Sequence, residues 1–264
     1  MSSAFAAAII AFLMLQFTHD PERRYAQLPM LSKMPGLVHA FSTRPINMSP
    51  RPGPTFEERR AARERFIDDF GLDPARAAWC VQVHTPKIAL IDDSNLGPHD
   101  GFDGLITTTP GVSLMVFSAD CPLVLAFDSI AGVLGVVHSS WRCTVGFSTR
   151  LLIERMTREC GARADRIIAG IGPSAGPASY EVGEDVYAAA AGLPDRERLF
   201  SRREGRMYFD LWEANRRQLV DAGVPEPMIE IAGVCTMEHV DTFFSYRREG
   251  AGCGNFALLA GMKR

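Results

Sequence analysis

Val112–His138 reads VSLMVFSADCPLVLAFDSIAGVLGVVH, and this stretch decides the fold. Two uninterrupted apolar runs, Leu123–Phe127 and Val133–Val137, flank Asp128-Ser129-Ile130-Ala131-Gly132. Apolar runs of about four to eight residues bounded by turn formers mark buried strands. The spacing predicts a hairpin with Ser129 and Ile130 as a two-residue loop. Asp128 then faces Ala131, and the same antiparallel ladder sets Cys121 opposite His138, with Cβ atoms roughly 4.5–5.5 Å apart. A bulge or a longer loop breaks that register.

A thiolate and an imidazole at that separation converge on one ion, and a mixed sulfur and nitrogen set suits zinc. Toward the N-terminus, a further apolar run, Trp79-Cys80-Val81-Gln82-Val83, closes on His84, and Pro86 stops it from continuing as a strand. His84, Cys121 and His138 are therefore the candidate metal ligands and catalytic centre. Three protein ligands leave a fourth position for water or substrate, as a catalytic zinc requires. Taken singly, each has an ordinary reading, because cysteine is among the most buried residue types and a lone histidine is commonly structural.

The other elements predict one α+β unit. Thr55 opens a helix to Phe70, with Glu58 placed for a capping box and Gly71 as the stop; Asp210 and Glu213 open another to Ala222. Phe147–Cys160 is a helix closed by Gly161, its amino end near the proposed metal. Arg166–Ile171, Met228–Val234 and Phe256–Ala260 read as strands, and Pro45–Pro54 as a loop.

Six segments then carry a resemblance: QVH at Gln82–His84, DGLIT at Asp103–Thr107, ADCPLVLA at Ala119–Ala126, VHSSWR at Val137–Arg142, GP-x-x-G-x-x-x-YEVG at Gly172–Gly183 and FFSYRREG at Phe243–Gly250. In this order they resemble the YfiH family, variously called polyphenol oxidase or laccase-domain proteins, peptidoglycan editing factors and purine nucleoside phosphorylases. The resemblance runs from about Pro35 to the C-terminus. It implies a single zinc held by His84, Cys121 and His138, in two mixed sheets packed together and flanked by helices. It also implies phosphorolysis of adenosine, inosine and methylthioadenosine, with adenosine deamination as a second activity. The pattern departs at three places. Thr43-Arg44-Pro45-Ile46-Asn47-Met48-Ser49 stands for Thr-Arg followed by Gly-Gly and Ser, His138-Ser139-Ser140-Trp141-Arg142-Cys143 for His-Ala-Gly-Trp-Arg-Gly, and Gly254-Asn255 for Gly-Arg.

The partners expected are a small nucleoside and phosphate, contacted by Arg44, Asn47, Ser139 and Arg142. A helix amino end and an arginine fork both favour phosphate, and Arg247 and Arg248 are further anion candidates. Three rivals remain. Cys121 and His138 are also the parts of a metal-free cysteine hydrolase or deamidase. A metal-binding relative without turnover, acting in peptidoglycan quality control, is the second. Copper oxidation is the third and weakest, because multicopper chemistry needs many histidines and the chain has only His19, His39, His84, His99, His138 and His239. Gly172-Pro173-Ser174-Ala175-Gly176 matches G-x-S-x-G, but the flanking prolines oppose the helix a nucleophile elbow needs. The zinc-deaminase signature, the P-loop and H-E-x-x-H are absent from the sequence.

At 264 residues and 47% hydrophobic, the chain supports one sizeable core. A net charge of −3 with no basic run argues against nucleic acid as a partner. Six cysteines without C-x-x-C pairs predict reduced thiols and a cytoplasmic protein. Residues 1–30 read as an extension ahead of a domain at 31–264. Its apolar run, Ala4–Phe17, is shorter than the roughly 20 residues that span a bilayer and has no preceding positive charge, so stable membrane insertion is not expected. No oligomeric state is legible in the sequence.

Overall fold

Alternate residues of the two central runs feed two different hydrophobic cores in the computed structural model, which describes residues 15–18 and 25–264. The strands that frame the site are β1 (Ala77–Val81), β2 (Gly104–Thr107), β3 (Ser113–Ser118), β4 (Leu123–Asp128), β5 (Val133–His138) and β6 (Phe256–Met262). Leu123, Leu125 and Phe127 of β4 join a core shared with Leu134 and Val136 of β5, while Val124, Ala126, Val133 and Val137 pack with a second set. Both faces are buried, which is why these strands read as continuous apolar runs rather than alternating ones.

The first sheet has the order Gln16–Phe17, Tyr25–Gln27, Leu37–Ser42, β6, β3, β1, Gly97–Asp100. The second has the order Ile229–Ile231, Ile168–Ile171, β4, β5, β2, Ile88–Ile91. Each mixes parallel and antiparallel pairs: β6 is antiparallel to β3 whereas β1 is parallel to it, and β5 is antiparallel to β2 whereas Ile88–Ile91 is parallel to it. The inner faces of the two sheets supply the shared core, with Phe41, Leu114, Val116 and Leu258 from one and Leu105, Leu125, Phe127 and Ile168 from the other. Helix α1 (Phe56–Asp68) covers the outer face of the first sheet through Phe66 and Ile67. On the second sheet's outer face, α3 (Ser148–Cys160) and α4 (Leu211–Asp221) contribute Leu152, Ile153, Met156 and Leu219; the short helix α2 (Trp141–Val145) precedes α3. A Cβ on Gly135 would stand 2.8 Å from Leu152 Cδ1, so glycine at that position lets α3 lie close on β5. The expected two mixed sheets packed together and flanked by helices are present. A small third sheet, Glu181–Val182, Phe200–Arg203 and Arg206–Phe209, was not anticipated.

The hairpin register differs from the sequence reading. The β4–β5 connection has four residues, not two, and His138 pairs with Leu123 rather than Cys121. Asp128 Oδ1 accepts from the amides of Ile130 and Ala131, both at 3.0 Å, and Gly132 takes φ +65°. The carboxylate cap and the positive-φ glycine select the longer turn. Among the helices, Asp210 caps α4 by accepting from Glu213 N at 2.9 Å, and Gly161 closes α3 in the left-handed conformation, as expected. Thr55 makes no side-chain cap bond, so the expected capping box does not form.

Residues 1–14, holding most of the apolar run, lie outside the described residues. Its last part is not helical: Gln16 and Phe17 pair with Gln27 and Ala26 as the edge of the first sheet. Part of the 1–30 extension therefore belongs to the domain's sheet. Among the described residues, no helix is long and apolar enough to cross a membrane.

Candidate metal centre

The inward-facing row Leu134, Val136, His138 of β5 is apolar until its last member, which ends at the mouth of the cleft between the sheets. His84 lies just beyond β1 in the first sheet. Cys121 lies in the crossover from β3 of the first sheet to β4 of the second. Their donor atoms all fall within 4.8 Å of one another, with His84 exposed, Cys121 half-buried and His138 buried. The two imidazole centroids are 5.0 Å apart. Zinc bonds of about 2.0–2.3 Å in a tetrahedron need donors roughly 3.3–3.8 Å apart, a spacing that the 4.8 Å limit admits, and two imidazoles with a thiol are a donor chemistry that such an ion takes.

Asp103, buried at the start of β2, holds two of the three candidate ligands. Its carboxylate accepts from the amides of Val83 at 3.0 Å, His84 at 2.9 Å and Thr85 at 3.2 Å, and from His138 Nδ1 at 2.9 Å. The first three bonds hold His84 at φ +62°, a strained conformation for a non-glycine residue. The fourth places the imidazole proton on Nδ1 and leaves the Nε2 lone pair for a metal, the arrangement usual for metal-ligating histidines. Asp103, His138 and Cys143 form a second close group. With its oxygens spent on four N–H donors, Asp103 acts there as an orienting group rather than a ligand.

Asp120 organises the third candidate ligand, Cys121. It takes φ +101°, accepts from Thr236 Oγ1 and Arg247 N, both at 2.7 Å, and offers its carbonyl to Ala175 N at 2.7 Å. Ser118 Oγ donates to Cys121 O at 2.7 Å. The turn that presents Cys121 is thus tied at Ser118, Asp120 and Cys121, which explains why the candidate ligand reaches the site although it lies beyond the ladder.

A cavity of about 630 Å³ opens over His84, Cys121 and His138, its other walls including Arg51, Asp120, Ser140, Arg142, Tyr180 and Tyr246. A neighbouring groove of about 760 Å³ shares Trp141, Arg142 and Arg247 with it. Of the four expected substrate contacts, Arg142 lines the cavity, with its guanidinium 4.3 Å over the Trp141 ring. The other three side chains have different partners. Arg44 forms an ion pair with Glu249, donates to Phe243 O at 3.2 Å and stacks on Phe244 at 4.2 Å. Asn47 Oδ1 accepts from Ser49 N and Asn255 N, each at 3.0 Å, and so shapes two wall residues from behind. Ser139 Oγ is fully buried among Thr144, Ser148 and Asn215 Oδ1, and Ser140 takes its place at the wall. Ser140 also caps α2 through Cys143 N, so the helix end at the cavity belongs to α2, not to α3.

Asp103, Asp120, Arg51 and Gln82 were not singled out from the sequence. Asp103, Asp120 and Gln82 stand in the DGLIT, ADCPLVLA and QVH segments, and Arg51 in the Pro45–Pro54 loop, without a role assigned to them there. Ser174 is buried and accepts from Trp212 Nε1 at 2.7 Å, which removes it as a nucleophile.

The electrostatics match these contacts. Burial alone would raise the Asp103 carboxyl, but the His138 hydrogen bond and the loop amides outweigh it and hold the carboxyl below its usual range. Desolvation and then His138 lower the His84 imidazole, helped by Arg142 and Arg51. Burial, then the Asp120 carboxylate, push the Cys121 thiol well above its ordinary range; burial pushes Cys143 up to about 12.

A "Purine nucleoside phosphorylase" of Bacteroides thetaiotaomicron is 34% identical over 271 residues, covering 94% of this chain and 98% of the relative. "Adenosine deaminase RL5", from an unknown prokaryotic organism, is 34% identical over 209 residues, covering 73% and 78%. In structure, the chain is similar to the Bacillus licheniformis hypothetical protein YfiH, with a TM-score of 0.86, 24% identity, and coverage of 94% of this chain and 99% of that one. The family model described as multi-copper polyphenol oxidoreductase laccase matches residues 36–263, and the chain belongs to that family, the laccase-domain or YfiH family.

Proposed function

We propose that the chain is a zinc-dependent purine nucleoside phosphorylase acting on adenosine, inosine and methylthioadenosine, with adenosine deamination as a second activity. The observation that carries this reading is the His84, Cys121 and His138 donor set opening into a cavity walled by arginines. The relatives named for phosphorolysis and for deamination support it. A cavity of about 630 Å³ lies within the range that holds small ligands. Bound zinc would supply Lewis-acid polarisation of an oxygen on the attacking group. Asp103 keeps His138 in the tautomer that leaves Nε2 free, and Arg142 offers a phosphate a charge-assisted fork. Tyr246, at the cavity wall and exposed, presents aromatic surface on which a purine can stack. In phosphorolysis a phosphate oxygen bonds to the ribose anomeric carbon as the glycosidic bond breaks, and the base nitrogen keeps the electron pair and takes a proton.

The metal-free cysteine hydrolase fits less well. A nucleophilic thiol requires a lowered proton affinity, whereas burial, Asp120 and Cys143 all raise that of Cys121. All six cysteines are free thiols, in keeping with a reducing, cytoplasmic setting.

The test is incubation of the purified protein with adenosine, with and without phosphate, and chromatography of the products. Phosphate-dependent release of adenine supports the phosphorylase, and inosine formed without phosphate supports the deaminase. A zinc-loaded protein that turns over neither would refute the reading in favour of a metal-binding relative without catalysis.

A further inference from the structure

We propose that Arg51 and Arg142 form one oxyanion clamp over the metal cavity, and that Arg51 sets how the site divides between phosphate-dependent cleavage and deamination. The division rests on the phosphorylase reading above; the clamp itself does not.

Arg51 comes from the Pro45–Pro54 loop, and its position is fixed at both ends. Asn47 Oδ1 holds Ser49 N, and Arg59 and Arg63 donate to Ser49 O at 3.1 and 2.8 Å, so two neighbouring arginines are spent on the backbone just before Arg51. Its guanidinium donates through NH2 to Gln82 O at 3.1 Å. Gln82 is itself locked to β3, donating to Phe117 O at 2.7 Å and accepting from Phe117 N at 2.8 Å. The guanidinium is therefore anchored two residues before the ligand His84.

A guanidinium carries five N–H donors in a planar fork. Arg51 gives one to Gln82 O, and Arg142 has only its stacking on Trp141 among the described residues. Of the other arginines, Arg44 pairs with Glu249, Arg248 donates to Met237 O and lies outside this cavity's lining, and Arg247, which does line it, is turned to Glu181 O and over the Tyr180 ring. Arg51 and Arg142 both line the cavity that contains His84. Two forks with donors to spare, beside a metal-ligand set, suit a tetrahedral oxyanion such as inorganic phosphate. Neutral water gains little from such a clamp, so its loss falls mainly on the phosphate-dependent reaction.

The experiment compares wild type, Arg51→Ala and Arg51→Lys as full-length zinc-loaded proteins. With inosine as substrate, Arg51→Ala raises the KM for phosphate by roughly ten- to a hundredfold, the loss of one or two charge-assisted hydrogen bonds. Arg51→Lys recovers part of this, since it keeps the charge and loses the fork. With adenosine at fixed phosphate, the ratio of inosine to adenine formed rises in Arg51→Ala. Equal loss of both reactions, or an unchanged KM for phosphate, overturns the proposal. Calorimetric titration with inorganic phosphate separates the clamp from the function it serves. If the wild type cleaves no nucleoside but binds phosphate and loses it in both Arg51→Ala and Arg142→Ala, the phosphorylase reading and the division fall while the clamp stands. Phosphate binding that is absent, or unaffected by either substitution, overturns the clamp.

Discussion

Asp103→Asn is the sharpest perturbation of the centre because it is nearly isosteric and touches no proposed ligand atom. In the wild type, Oδ1 accepts from His84 N and His138 Nδ1, and Oδ2 accepts from Val83 N and Thr85 N. Asparagine keeps one oxygen and brings an NH2 group, so one of these two donor pairs must face another donor. If the NH2 lies toward His84 and His138, His138 regains a bond only by moving its proton to Nε2, which removes the lone pair a metal needs. If it lies the other way, the Val83–Thr85 loop that sets His84 loses two acceptors. Each buried N–H left without a partner costs about 1–3 kcal/mol, so about 2–6 kcal/mol is divided between fold stability and metal affinity. Replacing such an orienting carboxylate typically lowers metal affinity by about ten- to a hundredfold. Competition for zinc against a chromogenic chelator gives the affinity, and urea unfolding of the metal-free protein gives the stability. A variant with wild-type zinc affinity and wild-type metal-free stability would refute the role assigned to Asp103.

Cys121→Ala is expected to lose stoichiometric zinc while Cys143→Ala retains it, measured by metal analysis after dialysis; the reverse pattern would move the centre to the Asp103, His138 and Cys143 group. His39 is 1% exposed, accepts from Leu28 N through Nε2 at 3.0 Å, and is lowered by burial to about 4. An unfolded histidine titrates near about 6.5, so the unfolded chain takes up the proton first; this contribution is complete above that pH and is lost as pH falls toward 4, amounting to about 3 kcal/mol. Urea unfolding at neutral and acidic pH is expected to show the wild type losing more stability than His39→Gln, and parallel losses would remove His39 as the cause.

The β4 and β5 runs were legible because strands buried on both faces have no polar alternation to misread. Their register was not, because a turn-forming run of five residues does not reveal which of them leave the ladder. Asp128 decides that by accepting from two loop amides, and Gly132 by taking a positive φ. The error spared the ligand set for a physical reason. Cys121 lies beyond the paired residues and is placed by the Asp120 turn, so its position does not depend on the strand register. The substrate contacts had no such protection. Ser139 and Ser140 are neighbours pointing to different surroundings, one into the Asn215 network and the other to the cavity. Arg44 is drawn away by Glu249, whose proximity only the fold creates.

The location of the centre follows from how two sheets share one core. The strands that frame the site are apolar along their inner rows, so its polar groups fall at the ends of those rows and on crossovers between the sheets. His138 ends such a row, Cys121 lies on a crossover, and His84 lies just beyond β1, after Gln82 and Val83. A polar site there leaves buried N–H groups in need of acceptors, and Asp103 meets four of them with one carboxylate. That concentration makes the centre dependent on a residue that touches neither cavity nor substrate. Changes to wall residues such as Arg51 should therefore redirect chemistry, while changes at Asp103 should remove the platform on which any of it occurs.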